Sequence, residues 1–134
     1  MPPIRRADRI AVGLVAVAAL AGLLAWPSLP DQVAIHWSGG SPDRYVAKPL
    51  AVLGLPALGA AAVAFTRLAP DSLTNTPGGD DATVLFLGVV FVWVQGVVIL
   101  WNMGWQFNVG VAVAPVLVLA GLLVAYEMGI FRPW

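Results

Sequence analysis

The chain has 134 residues, of which 60% are hydrophobic and only 10% are charged, and its formal net charge is zero. Soluble domains carry charges at about a quarter of their positions, so this composition excludes an ordinary soluble domain and indicates that lipid covers much of the surface. Zero net charge gives nucleic-acid binding no electrostatic support. With no cysteine and a single histidine, the sequence predicts no thiol chemistry, no disulfide, no metal site and no cofactor.

Four apolar runs predict four transmembrane helices, at about residues 10–28, 50–68, 84–102 and 109–130. Each run is close to the roughly 20 residues that a helix needs to cross about 30 Å of hydrocarbon. A cleaved signal peptide is the alternative for the first run, but the run is long and no Ala-x-Ala site closes it. We therefore predict an all-α integral membrane protein, a four-helix transmembrane bundle in which residues 1–134 form one membrane domain.

Small residues recur at helical spacing in these runs, for example Ala18 with Gly22 and Gly88 with Gly96. Such spacing lets helix backbones approach closely, which favours packing within one bundle. The alternative is contact with a second copy, giving a homo-oligomer, or with a partner subunit. Pro56 interrupts the second predicted helix and is expected to bend it.

The basic residues predict the orientation. One side of the predicted topology holds five of them, and the other side holds Arg44 and Lys48; the five are Arg5, Arg6, Arg9, Arg67 and Arg132. The positive-inside rule then places both termini in the cytoplasm of a cell and residues 29–49 outside its membrane. Four tryptophans at the outer ends of the predicted helices agree with this orientation, namely Trp26, Trp37, Trp101 and Trp105.

The outer loop, residues 29–49, contains the only histidine and the only lysine of the chain. Alternation of Val33, Ile35 and Trp37 with smaller or polar residues predicts a short strand. Trp105 to Val109 alternate in the same way, so we expect these two segments to pair as a small β cap. The candidate residues for binding a ligand or partner all lie in the outer loop: His36, Trp37, Asp43, Arg44, Tyr45 and Lys48.

Each candidate also has a plain structural interpretation. His36 would satisfy a local hydrogen bond instead of titrating or binding a ligand. Asp43 would form a weak surface ion pair with a nearby cation. Trp37 and Tyr45 would lie among lipid headgroups.

Two polar residues fall within predicted spans. Gln95 lies near the middle of the third helix, where its amide needs a partner on another helix. Glu127 lies in the last turns of the fourth helix, where pairing with Arg67 or Arg132 is expected. The sequence shows no set of residues typical of hydrolytic, phosphate-binding or zinc catalysis, so we expect no enzymatic activity and no catalytic residue.

The outer loop resembles a known family. The residues that carry the resemblance are Leu29-Pro30-Asp31, Ile35-His36-Trp37, Gly40-Ser41-Pro42-Asp43-Arg44-Tyr45 and Lys48-Pro49. They are similar to the membrane domain of unknown function at the N-terminus of SdpI-type immunity proteins. Ser38 departs from that pattern, since the family usually has asparagine there. The similarity covers the first helix, the loop and the start of the second helix.

The resemblance implies a small multi-pass membrane protein, and in the best-known relatives it implies protection against a secreted peptide toxin together with capture of a transcriptional repressor. Carried over, His36, Asp43, Arg44 and Lys48 would be outer recognition residues. We therefore predict a non-enzymatic binding, sensing or immunity-type protein that sits in the lipid bilayer and meets a peptide or another membrane protein at residues 29–49. The alternatives are an accessory subunit of a larger membrane complex and a small transporter or channel-like protein.

Overall fold

The computed structural model describes residues 4–70, 80–131 and 133, so Arg132 lies outside the described residues. The described chain forms four α-helices, α1 to α4, and two β-strands, β1 and β2. A 3-10 turn at Trp26–Ser28 follows α1. In chain order the elements are α1 (Arg6–Ala25), β1 (Gln32–Ser38), β2 (Ser41–Ala47), α2 (Lys48–Leu68), α3 (Asp81–Asn102) and α4 (Val109–Glu127).

All four helices are long and apolar enough to cross a membrane, which confirms that each of the four predicted apolar runs forms a helix. Five helix ends differ by two to four residues from the predicted bounds: the starts of α1, α2 and α3 and the ends of α1 and α4. Helix α1 begins at Arg6, where the Asp8 carboxylate accepts a hydrogen bond from the Arg5 amide at 2.9 Å and caps the first turn. Helix α4 ends at Glu127, because Gly129 adopts a positive φ of 75° that turns the chain out of the helix.

Helices α1, α2 and α3 pack against one another, whereas α4 packs mainly against α3. Val116 is the one buried residue that α4 contributes within the described chain. The predicted four-helix bundle is therefore a three-helix core with a peripheral fourth helix. Close approach depends on small residues: a Cβ atom added at Gly88 would lie 3.0 Å from the Ala11 Cα atom.

Strands β1 and β2 form an antiparallel hairpin within the loop between α1 and α2. Gly39 and Gly40 have φ values of 57° and 85°, as a two-residue type I′ turn requires, and Ser38 pairs with Ser41 on either side of it. The structure confirms that the loop contains strand.

The prediction that Trp105 to Val109 supply the second strand is wrong. The paired strand is β2, which the two-glycine turn brings directly beside β1. Residues 105–108 are irregular, and Val109 already begins α4.

Candidate functional site

The hairpin is seated on one end of the three-helix core, which we call the hairpin end. Its inner face buries Val33 against a cluster that includes Val52 and Val98, with Ile35 and Val46 packed beside it. Trp37 lies on this face too, and its ring meets that of Trp101 edge-on at a centroid distance of 5.4 Å. Trp37 therefore anchors the hairpin to α3.

Asn102, the last residue of α3, holds the free edge of β1. Its side-chain Oδ1 accepts a hydrogen bond from the Ala34 amide at 2.8 Å, and its Nδ2 donates to the Ala34 carbonyl at 2.9 Å. Nδ2 also donates to the Val98 carbonyl, one turn earlier in α3, at 2.7 Å. One amide side chain thus pairs with both backbone groups of a strand residue, as a neighbouring strand would.

Lys48 fastens the other side of the hairpin. Its Nζ donates to the Trp26 carbonyl at 3.0 Å and lies 5.4 Å from the centroid of the Trp26 ring. Its backbone amide donates to the Asp31 carbonyl at 3.0 Å. The Lys48 ammonium group thus donates to a carbonyl at the end of α1, which stabilises this helix end. Because Lys48 is the first residue of α2, the contact also joins the end of α1 to the start of α2. Lys48 therefore positions the hairpin.

The polar face of the hairpin carries the cluster formed by His36, Ser38 and Asp43. The His36 Nδ1 atom lies 2.6 Å from one Asp43 carboxylate oxygen, and the Ser38 hydroxyl donates to the other. The His36 side chain is 65% exposed and that of Asp43 is 42% exposed, so the cluster is open to ligands. The serine hydroxyl bonds to the carboxylate and not to the imidazole, which is not the arrangement that activates a serine nucleophile.

Hydrogen bonds from Ser38 and then from His36 hold the pKa of Asp43 below its ordinary value of 3.8. The folded hairpin therefore prefers the ionised carboxylate. A group with a lowered folded pKa stabilises the fold fully above its unfolded pKa, and that stabilisation disappears as the pH falls through the lower folded value.

We expect the hairpin to loosen as the pH falls below 3.8 and through the lower folded pKa of Asp43, because the carboxylate is then protonated. Amide chemical shifts of residues 32–47, followed by NMR in lipid nanodiscs between neutral pH and about pH 3, would report this transition. In Asp43→Asn the transition should be absent and the hairpin already loosened at neutral pH. An unchanged transition in that variant would assign the effect to another group.

Two further candidates complete the exposed surface. Arg44 lies opposite His36 in the strand register, and Tyr45 lies opposite Ala34. Both are exposed, with Tyr45 at 52%. The structure thus brings four predicted site residues to the exposed surface of one hairpin and uses Trp37 and Lys48 to attach that hairpin to the helices.

Gln95 is far from this site, within the core, where it is 1% exposed. Its Nε2 donates to the Val52 carbonyl of α2 at 3.1 Å and to the Ala18 carbonyl of α1 at 3.3 Å. A Cβ atom added at Gly22 would lie 2.8 Å from Nε2, so this glycine makes room for the amide. The Gln95 amide therefore has two partners on other helices, the Ala18 carbonyl of α1 and the Val52 carbonyl of α2. Through these two hydrogen bonds Gln95 links α3 to α1 and α2.

Arg67 organises the opposite end of the core, which we call the Arg67 end. Its guanidinium donates to Asp8 of α1 at 2.7 Å and to Asp81 of α3 at 2.6 Å, and its side chain is only 8% exposed. Arg5 adds a longer, exposed contact to Asp81 at 3.3 Å. Three helices therefore meet at one buried arginine.

Glu127 reaches the same end from α4, where it hydrogen-bonds with Asp80, the residue that caps α3. Burial acts to raise the pKa of Asp80, but the hydrogen bonds with Glu127 and with the Thr83 amide outweigh it and hold the pKa below 3.8. Within the described residues, no group of three or more histidine, aspartate or glutamate side chains could hold a metal ion.

Comparison with known families identifies the part of the chain that builds the hairpin end. Residues 13–60 match the family model described as a domain of unknown function, DUF1648. No curated protein and no solved structure matches the chain.

The DUF1648 domain comprises most of α1, the whole hairpin and the first part of α2. The family match therefore covers the segment on which the predicted resemblance rested. It leaves out α3, although α3 supplies Gln95 and Asn102, the two amide side chains that bond to the backbone of this domain.

Proposed function

We propose that this chain is a non-enzymatic membrane protein of the binding, sensing or immunity type, which recognises a peptide or another membrane protein through the exposed surface of its hairpin. In this proposal the chain spans a cell membrane four times, both termini are cytoplasmic, and the hairpin lies outside. The asymmetry of basic residues in the sequence supports this orientation.

The observation that carries the proposal is a rigidly mounted hairpin with polar residues left exposed. Asn102 and Trp37 attach the hairpin to α3, and Lys48 joins the start of α2 to the end of α1, so the position of the hairpin is fixed before any ligand arrives. Fixing a recognition surface in advance reduces the entropy that binding would otherwise cost. The exposed side chains of His36 and Asp43, with Arg44 and Tyr45 beside them, offer charge, hydrogen bonds and aromatic contact to a polypeptide.

Affinity capture of the tagged protein from its native membrane in mild detergent, followed by mass spectrometry, tests this proposal. We expect a specific companion in the wild type that is reduced about tenfold or more in His36→Ala and in Asp43→Ala, since exposed charged contacts at a binding hot spot contribute at this level. Both variants should insert normally, because the side chains of His36 and Asp43 are 65% and 42% exposed. Arg9→Ala, which removes an exposed charge near the start of α1, at the opposite end of that helix from the hairpin, is the control and should retain the companion. Equal capture by all four proteins would place recognition elsewhere.

A second candidate function, an accessory subunit of a larger membrane complex, is favoured by α4. This helix packs mainly against α3 and leaves most of its apolar surface uncovered. An apolar groove of about 430 Å³ runs between the two helices near the hairpin end and is lined by Val92, Trp93, Gly96, Val97, Leu100, Phe107 and Ala112. Leu117→Trp on the exposed face of α4 should then disrupt a captured complex that His36→Ala leaves intact.

A further inference from the structure

The two edges of the hairpin differ. The edge of β1 is occupied, because the Asn102 side chain pairs with both the amide and the carbonyl of Ala34. Across the described residues, the backbone of β2 hydrogen-bonds to β1 and to no other element. Residues Asp43, Arg44 and Tyr45 of β2 are exposed. The hairpin therefore has one closed edge and one open edge.

We propose that an extended polypeptide segment binds by adding a third strand to the open edge of β2. This inference rests on the proposed function and states how the hairpin would recognise its partner. Unpaired amide and carbonyl groups on an edge strand are a template for another chain, and peptide-binding domains use such edges for main-chain recognition. A helix-derived side chain that occupies the other edge directs the added strand to β2.

The sequence of β2 restricts which strands can pair with it. Pro42 has no amide hydrogen, so pairing along the edge is confined to the residues that follow it, Asp43 to Ala47. Charged residues on an edge also oppose pairing with a second copy of the same strand. The open edge is thus suited to a different chain of complementary charge.

Charge at the edge indicates an acidic partner segment. Asp43 already bonds to Ser38 and His36, so much of its charge is satisfied within the hairpin. The guanidinium of Arg44 forms no ion pair among the described residues and is exposed. A carboxylate on the added strand would pair with Arg44 in the manner of opposite charges on adjacent strands. The ring of Tyr45 would pack against the same added strand.

The test uses the full chain in lipid nanodiscs and a random peptide display library. Peptides selected on the wild type are synthesised in four forms. The first is unmodified, the second is N-methylated at the odd-numbered residues, the third is N-methylated at the even-numbered residues, and the fourth has its acidic residues replaced by their amides. N-methylation removes backbone donors and keeps the side chains. Hydrogen exchange measured by mass spectrometry then locates the bound peptide.

Strand addition predicts that selected peptides are acidic and slow amide exchange in residues 43–47 by about tenfold or more. N-methylation in one alternation should weaken binding by about tenfold or more and in the other should have little effect, because successive backbone groups point to opposite sides of a strand. Arg44→Gln should reduce the preference for acidic over amidated peptides. Asn102→Ala should allow protection to appear at residues 32–36 as well, because the β1 edge is then open.

Equal binding of both N-methylated forms, protection outside the hairpin, or recovery of no peptide would overturn the inference. Asn102→Asp, which keeps the acceptor at this position, serves if Asn102→Ala does not fold. If capture from native membranes depends on His36 while N-methylation has no effect, recognition uses side chains alone. In that case the proposed function stands and strand addition does not.

Discussion

Replacing Arg67 with glutamine is expected to lower the free energy of unfolding by about 2–4 kcal/mol, because it leaves Asp8 and Asp81 without the cation that they share. Asp8 is the more costly loss, since its side chain is only 15% exposed where it meets the guanidinium. Asp81 is 53% exposed, so water compensates part of its loss and keeps the total at the lower end of the range for buried pairs. Unfolding of the reconstituted protein, followed by circular dichroism as denaturing detergent increases, measures the difference.

Arg5→Gln is the matched control, because it removes an arginine from the same carboxylate at the same end of the core. The Arg5 contact to Asp81 is longer, at 3.3 Å, and the arginine side chain is 45% exposed. An exposed pair of this kind contributes about 0–1 kcal/mol. If Arg5→Gln and Arg67→Gln prove equally destabilising, the Arg67 end is not organised by a buried arginine. Asp8→Asn in the Arg67→Gln protein should recover part of the stability, since it removes the unpaired charge.

The helices and the strand tendency of the first loop could be predicted from sequence because each depends on local information. Apolar runs near 20 residues predict helices long enough to cross a membrane, whatever residues surround them. The alternation of Val33, Ile35 and Trp37 specifies an extended segment with one apolar face, which is the face that packs on the core. The partner of that strand could not be predicted from its own alternation. Gly39-Gly40 is a two-residue hairpin signal, and it outweighs the similar alternation at residues 105–109 because the nearer segment loses less entropy on closing.

The partners of the polar side chains could not be predicted, because they depend on how the helices are rotated and aligned. One signal was nevertheless present in the sequence of α3. Asp81, Gly88, Gln95 and Asn102 are spaced seven apart, and two helical turns bring such residues to one face. Each makes a specific contact with the α1–hairpin–α2 segment, at a different level from the Arg67 end to the hairpin end. The face of a helix that carries polar and small residues at this period is thus its packing face in an apolar surrounding.

Gln95→Leu is expected to lower the free energy of unfolding by about 1–2 kcal/mol, and Pro56 is the reason. In an α-helix the Val52 carbonyl would accept a hydrogen bond from residue 56, but proline has no amide hydrogen. The structure shows the Gln95 Nε2 atom donating to that carbonyl instead, at 3.1 Å. The leucine variant leaves a buried acceptor without a donor, which costs the desolvation of that group. The Gln95 Oε1 atom is itself buried and has no partner among the described residues, which keeps the net loss at the lower end of the effect of a buried hydrogen bond.

A double-mutant cycle isolates this relationship. Pro56→Ala restores the amide hydrogen that the Val52 carbonyl lacks, so Gln95→Leu should cost about 1 kcal/mol less in the Pro56→Ala protein than in the wild type. Pro115→Ala changes the corresponding feature of α4 and should leave the cost of Gln95→Leu unchanged, because the hydrogen bonds of Gln95 go to α1 and α2. Equal costs in all three backgrounds would mean that Gln95 acts through packing alone. A coupling confined to Pro56 would show that a helix-breaking residue on α2 and an amide on α3 form one structural unit, in which the amide from outside the DUF1648 domain completes the hydrogen bonding of a helix within it.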